Sequence, residues 1–148
     1  MPGRGFATRA ILAIVLLCTA FSFGGARSEP SAETIARGKA LAIAGGCASC
    51  HTADPAKPLA GGKRIDTPFG AIYSPNLTPD RDTGLGGWSD DDFRRALRYG
   101  VAPDGSRYYP AFPYPNFTKL TRPDILAIRA YLATLTSVKN SAPPPELR

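Results

Sequence analysis

The residues with the most distinctive chemistry stand together in the segment GGCASCH, residues 45–51. Cys47 and Cys50 are separated by two residues, and His51, the only histidine among 148 residues, follows directly. Two thiols at this spacing can each add to one vinyl group of a haem, and the next imidazole is then placed where it can bind the iron. The pattern C-x-x-C-H therefore predicts one covalently attached haem c, with His51 as the proximal iron ligand.

Three other kinds of site are weighed against haem. A closed zinc site needs four ligands, and the chain offers two cysteines and one histidine here without a second cluster. Thioredoxin-like redox chemistry uses a C-x-x-C at the start of a helix in a βαβ pattern, whereas this motif follows a predicted helix. A structural disulfide between Cys47 and Cys50 stays open as an alternative in an oxidising compartment.

The N-terminus has the composition of an export signal. Arg4 and Arg9 supply a positive region, residues 11–20 form an apolar core, and Ala26 ends a stretch of small residues. We predict a signal peptide over residues 1–26. The alternative, an uncleaved membrane anchor, is disfavoured because the apolar run is shorter than the roughly 20 residues that span a bilayer. Export predicts a periplasmic protein, with membrane contact only through an uncleaved N-terminal segment.

The remaining chain is long enough for one domain and too short for two. We place that domain at residues 27–136 and an extended tail at residues 137–148. Removing the two arginines of the signal lowers the net charge from +6 to +4. The basic residues alternate with aspartates and form no block, so the charge pattern does not favour a nucleic-acid partner.

Three helices are predicted around the motif, over residues 31–44, 89–100 and 121–135. Their N-caps are Ser31, Ser89 and Thr121, with aspartates completing capping boxes in the second and third helices. The segments between them, residues 52–87 and 101–120, are rich in proline and glycine and predict loops. At most a short extended piece is expected at GAIYS, residues 70–74. Loops this long in a small domain suggest wrapping around a large prosthetic group.

Several longer stretches resemble one family, the class I c-type cytochromes. Within it, the chain is similar to the cytochrome c subunits and domains of periplasmic alcohol, gluconate and nicotinate-type dehydrogenases. The matching stretches are IARGKALAIAGGCASCHT, PFGAIYSPNLTPDRDTGLGGWSDDDFRRALRYGVAPDG, YYPAFPYPNFTKLT and DILAIRAYL. They cover most of residues 34–135.

The resemblance implies an all-α cytochrome c fold, with three or more short helices and long loops around one haem. Its first and last helices would cross beside the haem. That crossing would explain Gly38, which costs about 1 kcal/mol in mid-helix relative to alanine, and would place Tyr131 over it. Aromatic side chains would line the haem crevice: Phe69, Tyr73, Trp88, Phe93, Tyr109, Phe112 and Tyr114. Arg64, Trp88 and Arg94 are candidates for binding the haem propionates.

The chain departs from the family at the sixth iron ligand. Relatives usually place a methionine in the loop before the last helix, where this chain has Phe112. The only methionine is Met1, in the predicted signal peptide. The sixth position is therefore open, bound by water, filled by a partner's residue, or filled from within this chain. Candidates within the chain are Lys119 and the tyrosines Tyr108, Tyr109 and Tyr114.

The resemblance implies an electron carrier and not an enzyme. Its redox partner would be a periplasmic dehydrogenase subunit or another cytochrome. Two further functions are considered. An open iron would bind a small gas or peroxide, giving a sensor or weak peroxidase, and a docking subunit would use the haem mainly for structure. The absence of a second histidine disfavours efficient peroxidase chemistry.

Overall fold

A computed structural model describes residues 29–148, so the predicted signal peptide at residues 1–26 lies outside the described residues. The helices are α1 (Ala32–Ala44), α2 (Cys47–His51), α3 (Asp90–Tyr99), a 3-10 turn (Tyr114–Phe117) and α4 (Arg122–Ala133). The strands are β1 (Arg64–Thr67), β2 (Gly70–Tyr73) and β3 (Glu146–Leu147). As predicted, the described chain is mainly helix and loop. Within residues 29–148, no helix is both long and apolar enough to cross a membrane.

Local capping sets where the main helices begin. The Ser31 side chain accepts a hydrogen bond from the Thr34 backbone at the start of α1. Ser89 and Asp92 exchange the two bonds of a capping box at the start of α3. The helix starts are confirmed, because each N-cap side chain satisfies a backbone N–H that the helix leaves unpaired. Helix α4 ends at Ala133, two residues earlier than predicted.

Helices α1 and α4 cross in direct backbone contact. A Cβ added to Gly38 would lie 1.8 Å from the carbonyl oxygen of Ala127, so only glycine fits at this point. Arg37 donates to the Asp124 carboxylate across the same crossing, at 2.7 Å between Nε and Oδ1. The closest approach to Gly38 comes from the backbone of Ala127, one turn before Tyr131, and Tyr131 packs against the core. The placement of the Tyr131 ring over Gly38 stays a prediction.

The hydrophobic core lies between these helices, α3 and the loops. Its buried members are Ala42, Leu59, Leu85, Phe93, Ile125, Ile128 and Leu132. A second group of apolar side chains packs against this core but is only half-buried: Cys47, Leu77, Trp88, Leu97 and Leu120. Several apolar side chains around the core are therefore incompletely covered, and one of the two motif cysteines is among them.

The prediction that residues 52–87 form only loops, with one short extended piece, was wrong in part. Strands β1 and β2 form an antiparallel hairpin in which Arg64 pairs with Tyr73 and Thr67 with Gly70. Strand β3 adds to β2 and gives a small three-stranded sheet. The hairpin strands have only four residues each and the turn contains Pro68, so the sequence carries little strand signal.

The tail at residues 137–148 runs along the surface of the domain. It makes backbone and side-chain hydrogen bonds to the loop between β2 and α3 and to the loop before β1. At its end, Glu146 accepts hydrogen bonds from Arg64 and from the Tyr73 hydroxyl. The tail is thus extended and also bonded to the domain over much of its length.

Candidate functional site: the C-x-x-C-H helix

Helix α2 presents the three motif side chains in one direction. It begins after Gly46, whose φ of 67° is in the left-handed region that favours glycine. Cys47, Cys50 and His51 then occupy positions i, i+3 and i+4, which share one face of a helix. Cys50 is exposed, Cys47 is half-buried, and both are free thiols. The short helix therefore brings two thiols and one imidazole to the same side of the chain.

The orientation of the His51 ring is set by the loop after β2. Its Nδ1 lies 2.8 Å from the carbonyl oxygen of Pro75. A carbonyl can only accept a hydrogen bond, so Nδ1 carries the proton and Nε2 keeps its lone pair. Burial lowers the pKa of His51, and the bond to Pro75 opposes this effect without reversing it. The imidazole is thus neutral at pH 7 and has one nitrogen available to a metal.

A second backbone contact holds the same histidine from the loop before β1. The Gly61 N–H donates to the carbonyl oxygen of His51 at 2.7 Å. Gly61 has a φ of 74°, and a Cβ there would lie 2.5 Å from the carbonyl of Pro75. The two loops therefore meet at His51 with no room for a side chain. Sequence reasoning missed both Pro75 and Gly61, although Pro75 lies in the SPNLTPD segment that carries the resemblance.

Further contacts fix the rest of the motif. The Ser49 hydroxyl donates to the Gly46 carbonyl at 2.6 Å, and Lys63 donates to the Ser49 carbonyl at the same distance. Burial raises the pKa of the Cys47 thiol, so this thiol is protonated at neutral pH. Among residues 29–148, no group of three or more His, Cys, Asp or Glu side chains is arranged to hold a metal ion by itself.

The comparison with protein families decides the identity. The profile of the family described as cytochrome c matches residues 35–136, more than half of the chain. The chain belongs to the cytochrome c family. The matched residues include the α1–α4 crossing, the C-x-x-C-H helix and the helical core. As a member of the family, this cytochrome c binds haem c.

Three relatives indicate the setting in which such domains occur. The chain is 48% identical over 118 residues to a subunit of the nicotinate dehydrogenase of Pseudomonas putida, covering 80% of this chain and 10% of the relative. It is 43% identical over 123 residues to the gluconate 2-dehydrogenase cytochrome c subunit of Pantoea cypripedii, covering 83% and 28%. It is 41% identical over 136 residues to the cytochrome c subunit of the quinone-type alcohol dehydrogenase of Gluconobacter oxydans, covering 89% and 28%. The chain thus spans less than a third of the length of each of these relatives.

The residues of this cytochrome c fit a covalent haem. Two free thiols stand on the same helix face as a neutral histidine whose Nε2 has its lone pair. Cys47 packs against the hydrophobic core together with other half-buried apolar side chains, and a large apolar ring attached at Cys47 would lie next to this core. Cys47 and Cys50 would hold the haem by thioethers and His51 would bind its iron. The bound haem supplies a reversible one-electron change at the iron.

The aromatic residues expected in one crevice are distributed over the domain. Phe93 is buried in the core, and Trp88 is half-buried against it. Phe69 is 72% exposed and lines a surface groove of about 540 Å³ with Tyr109. Phe69 lies in the turn of the β1–β2 hairpin, and its expected contact with the haem stays a prediction. Tyr73 also belongs to the hairpin, where its hydroxyl donates to Glu146 at 2.6 Å.

The loop before α4 is built from stacked aromatic rings. Phe112 stacks on Phe117 with ring centroids 6.0 Å apart, and Tyr108 meets Phe112 edge to face at 5.7 Å. Tyr114 packs against Gly100, where an added Cβ would lie 2.6 Å from the ring. These contacts give four of the aromatic residues in this loop a packing role within the described structure.

The candidates for the sixth ligand differ in their surroundings. Lys119 and Tyr109 are exposed, whereas Tyr108 and Tyr114 are half-buried. Burial raises the pKa of Tyr108 to about 12, so its hydroxyl is protonated at neutral pH. The propionate candidates are also engaged within the protein. Arg64 bonds to Tyr73 and Glu146, and Arg94 pairs with Asp91.

Proposed function

We propose that this cytochrome c is a periplasmic, mono-haem carrier of single electrons. It would take them from a dehydrogenase partner and pass them towards the respiratory chain. The observation that carries the proposal is the C-x-x-C-H helix, with two free thiols and a neutral His51 whose Nε2 is free to bind iron. The haem does the redox chemistry, and the chain's own residues anchor it and orient its proximal ligand.

The haem count is proposed from the sequence of this chain. A second haem c would need a second C-x-x-C-H, and the chain has three cysteines and one histidine in all. Intact mass spectrometry of the denatured, periplasmically matured protein should therefore find one haem. The Cys47→Ala/Cys50→Ala double variant should lose that mass. Covalent haem on the double variant would contradict the assignment of the two anchors.

The partner is proposed from the relatives. Two of the three are named as cytochrome c subunits of dehydrogenases, and all three names include a dehydrogenase. The periplasmic location is proposed from the composition of residues 1–26. N-terminal sequencing of the mature protein tests the cleavage after Ala26, and fractionation of the cells tests the location.

An optical and electrochemical experiment tests the function. Purified protein reduced with dithionite should show the bands of a c-type haem, and voltammetry should show one reversible one-electron wave. Anaerobic addition of nicotinate, gluconate or ethanol to cell fractions should then reduce the haem with at least one of these substrates. Absence of c-type bands, together with a Cys47–Cys50 disulfide found by mass, would establish the disulfide alternative instead.

A second candidate function is ligand binding at the iron. It is favoured by one specific observation: beyond Met1 the chain has no methionine, and His51 has no second histidine to face it. Lys119 is exposed to water, and the half-buried Tyr108 is held in its protonated form. An open iron would bind a small neutral gas such as carbon monoxide. A large spectral shift of the ferrous protein with carbon monoxide supports this function, and an unchanged low-spin spectrum excludes it.

A further inference from the structure

Two residues of the tail bond to the two loops that meet at His51. The carbonyl oxygen of Val138 accepts from the Asn76 side-chain amide at 2.7 Å, and its N–H donates to the Thr78 hydroxyl at 3.2 Å. The side-chain amide of Asn140 donates to the carbonyl oxygen of Ala60 at 2.8 Å. The tail thus joins loop positions that are some 60 to 80 residues away in sequence.

These bonds are made in a water-excluded region. Asn76, Thr78 and Ala60 are only 2%, 0% and 2% exposed. Asn76 also accepts from the backbone and hydroxyl of Thr78, so the loop is held together at the point where the tail contacts it. Buried polar groups that lose a partner are costly, and such a network therefore fixes the backbone that carries it.

The loop residues held by the tail are the chain neighbours of those that contact the histidine. Pro75, which accepts from His51 Nδ1, precedes Asn76, and Gly61, which donates to the His51 carbonyl, follows Ala60. We propose that Asn140, with the Val138 backbone, positions the proximal histidine by bracing these two neighbours. The inference rests on haem c being bound at Cys47–His51, as in the proposed function.

We call the bonds of Asn140 and Val138 to Ala60, Asn76 and Thr78 the brace. These bonds would affect the electron-donor strength of His51 towards the iron. A firm hydrogen bond from Nδ1 makes a metal-bound imidazole a stronger donor and fixes its orientation. A stronger donor stabilises ferric over ferrous iron. Loosening the brace lets the Pro75 carbonyl move away from Nδ1, which weakens that bond. The reduced form is then favoured and the reduction potential rises.

The experiment compares two tail variants in the full-length, haem-loaded protein. Asn140→Ala removes the side-chain bond to Ala60 and leaves the backbone bond from Asn140 N to the Thr83 hydroxyl. Lys139→Gln is the matched control, because it removes an exposed ion pair with Asp82 one residue earlier. At a fixed potential near the midpoint, Asn140→Ala should raise the ratio of reduced to oxidised protein several-fold. A tenfold change corresponds to about 59 mV for one electron. The control should match the wild type.

A spectroscopic signature separates positioning of the histidine from a general loss of stability. The iron–histidine stretching band of the ferrous protein, read by resonance Raman with and without carbon monoxide photolysis, should shift to lower frequency in Asn140→Ala. It should stay unchanged in Lys139→Gln. Asn140→Ser keeps a short donor and serves as a milder variant if alanine prevents folding; it should show a smaller shift in the same direction.

The outcomes are distinct from those of the function test. A folded Asn140→Ala or Asn140→Ser protein with c-type bands, but with the wild-type potential and iron–histidine band, overturns the brace and leaves electron transfer untouched. A shift of equal size in Lys139→Gln also overturns it. Wild-type protein without c-type bands overturns the proposed function itself.

Discussion

At the scale of single residues, the proximal side of the haem site depends on a backbone carbonyl. Because Pro75 contacts His51 through an oxygen that cannot donate, the tautomer of the ring does not depend on any titrating partner. A carboxylate in that place would add charge and would itself respond to pH. Burial thus keeps His51 neutral, and the backbone carbonyl of Pro75 orients its ring.

The first prediction concerns the sixth ligand of the iron. The resemblance predicts that Phe112 stands where relatives carry the sixth ligand, and on that prediction the Phe112→Met variant would provide a thioether there. Its reduction potential should rise above that of the wild type, because a His/Met pair raises the potential of a c-type haem. Redox titration measures this shift, and the optical response to carbon monoxide should weaken in parallel.

The neighbouring Ala111→Met variant is the control for that experiment. Ala111 is exposed, so a methionine there adds the same thioether at the surface. It should leave both the potential and the carbon monoxide response at wild-type values. Equal behaviour of the two variants would contradict the placement of Phe112 on the sixth-ligand side.

At the residue level, the sequence indicates a candidate site most directly where its chemistry is carried by adjacent residues. The spacing of Cys47, Cys50 and His51 puts them on one helix face without help from the rest of the chain. The roles of Pro75 and Gly61 could not be predicted by the same reasoning. Pro75 and Gly61 contact His51 because two loops from different parts of the chain meet there. Neither loop has a local sequence pattern that predicts this contact.

At the scale of elements, the helices could be predicted because their signals are local. The N-caps Ser31, Ser89 and Thr121 each bond to a backbone N–H three residues later. The β1–β2 hairpin has no comparable signal. It is stabilised by pairing with β3, some 75 residues away in sequence, and by the contacts of Glu146 with Arg64 and Tyr73.

The capping box of α3 gives a prediction about pH. The Ser89 hydroxyl, followed by the Arg95 guanidinium, lowers the pKa of Asp92 from 3.8 to about 2. The stabilisation by ionised Asp92 is therefore fully present above the unfolded value of 3.8 and is lost as pH falls through about 2. The stability difference between wild type and Asp92→Asn should shrink over that window. Urea unfolding between pH 5 and pH 2 measures it.

Asp91→Asn serves as the comparison for the capping box. Asp91 is exposed and pairs with Arg94 without making a cap bond. If its substitution gave the same pH profile of stability as Asp92→Asn, the acid sensitivity would belong to the charge of the helix start in general and not to the box.

The α1–α4 crossing gives a prediction about packing. In Gly38→Ala the new methyl group would collide with the Ala127 carbonyl, and backbone atoms cannot turn aside as a side chain does. We expect a loss of about 3 kcal/mol or more in the free energy of unfolding, despite the better helix propensity of alanine. Gly87→Ala is the control, since its Cβ would meet nothing closer than 3.3 Å. Chemical denaturation of both variants should separate them, and equal stabilities would refute the contact.

At the scale of the whole molecule, the tail bonds to two loops that are distant from it in sequence. Deleting residues 137–148 would leave the buried Asn76 amide and Thr78 hydroxyl without Val138 as a partner. Unpaired buried groups cost about 1–3 kcal/mol each, so we expect a loss of about 2 kcal/mol or more in unfolding free energy. Deleting only residues 143–148 should cost less than about 1 kcal/mol, because it removes a two-residue strand and exposed ion pairs. Similar losses in the two deletions would contradict this division.

Sequence reasoning predicted an extended tail at residues 137–148 but not where it lies. The composition APPPELR indicates an extended chain and nothing about what it contacts. Its position depends on buried polar groups in distant loops, such as Asn76 and Thr78, whose burial only the folded chain reveals. Long-range polar contacts of this kind produce no periodic pattern in the sequence from which they could be predicted.

The α1–α4 crossing also has a consequence for the order of events during synthesis. Arg37 and Asp124 are 87 residues apart, so the first helix cannot find its partner until nearly all of the domain has been made. Closing so long a loop slows folding, because its entropy is lost before the contact is gained. During that delay the core against which Cys47 packs lacks its α4 members Ile125, Ile128 and Leu132. We therefore expect the thiols to be most accessible to haem-attaching enzymes in the nascent, incompletely folded chain, and less accessible once α4 has docked.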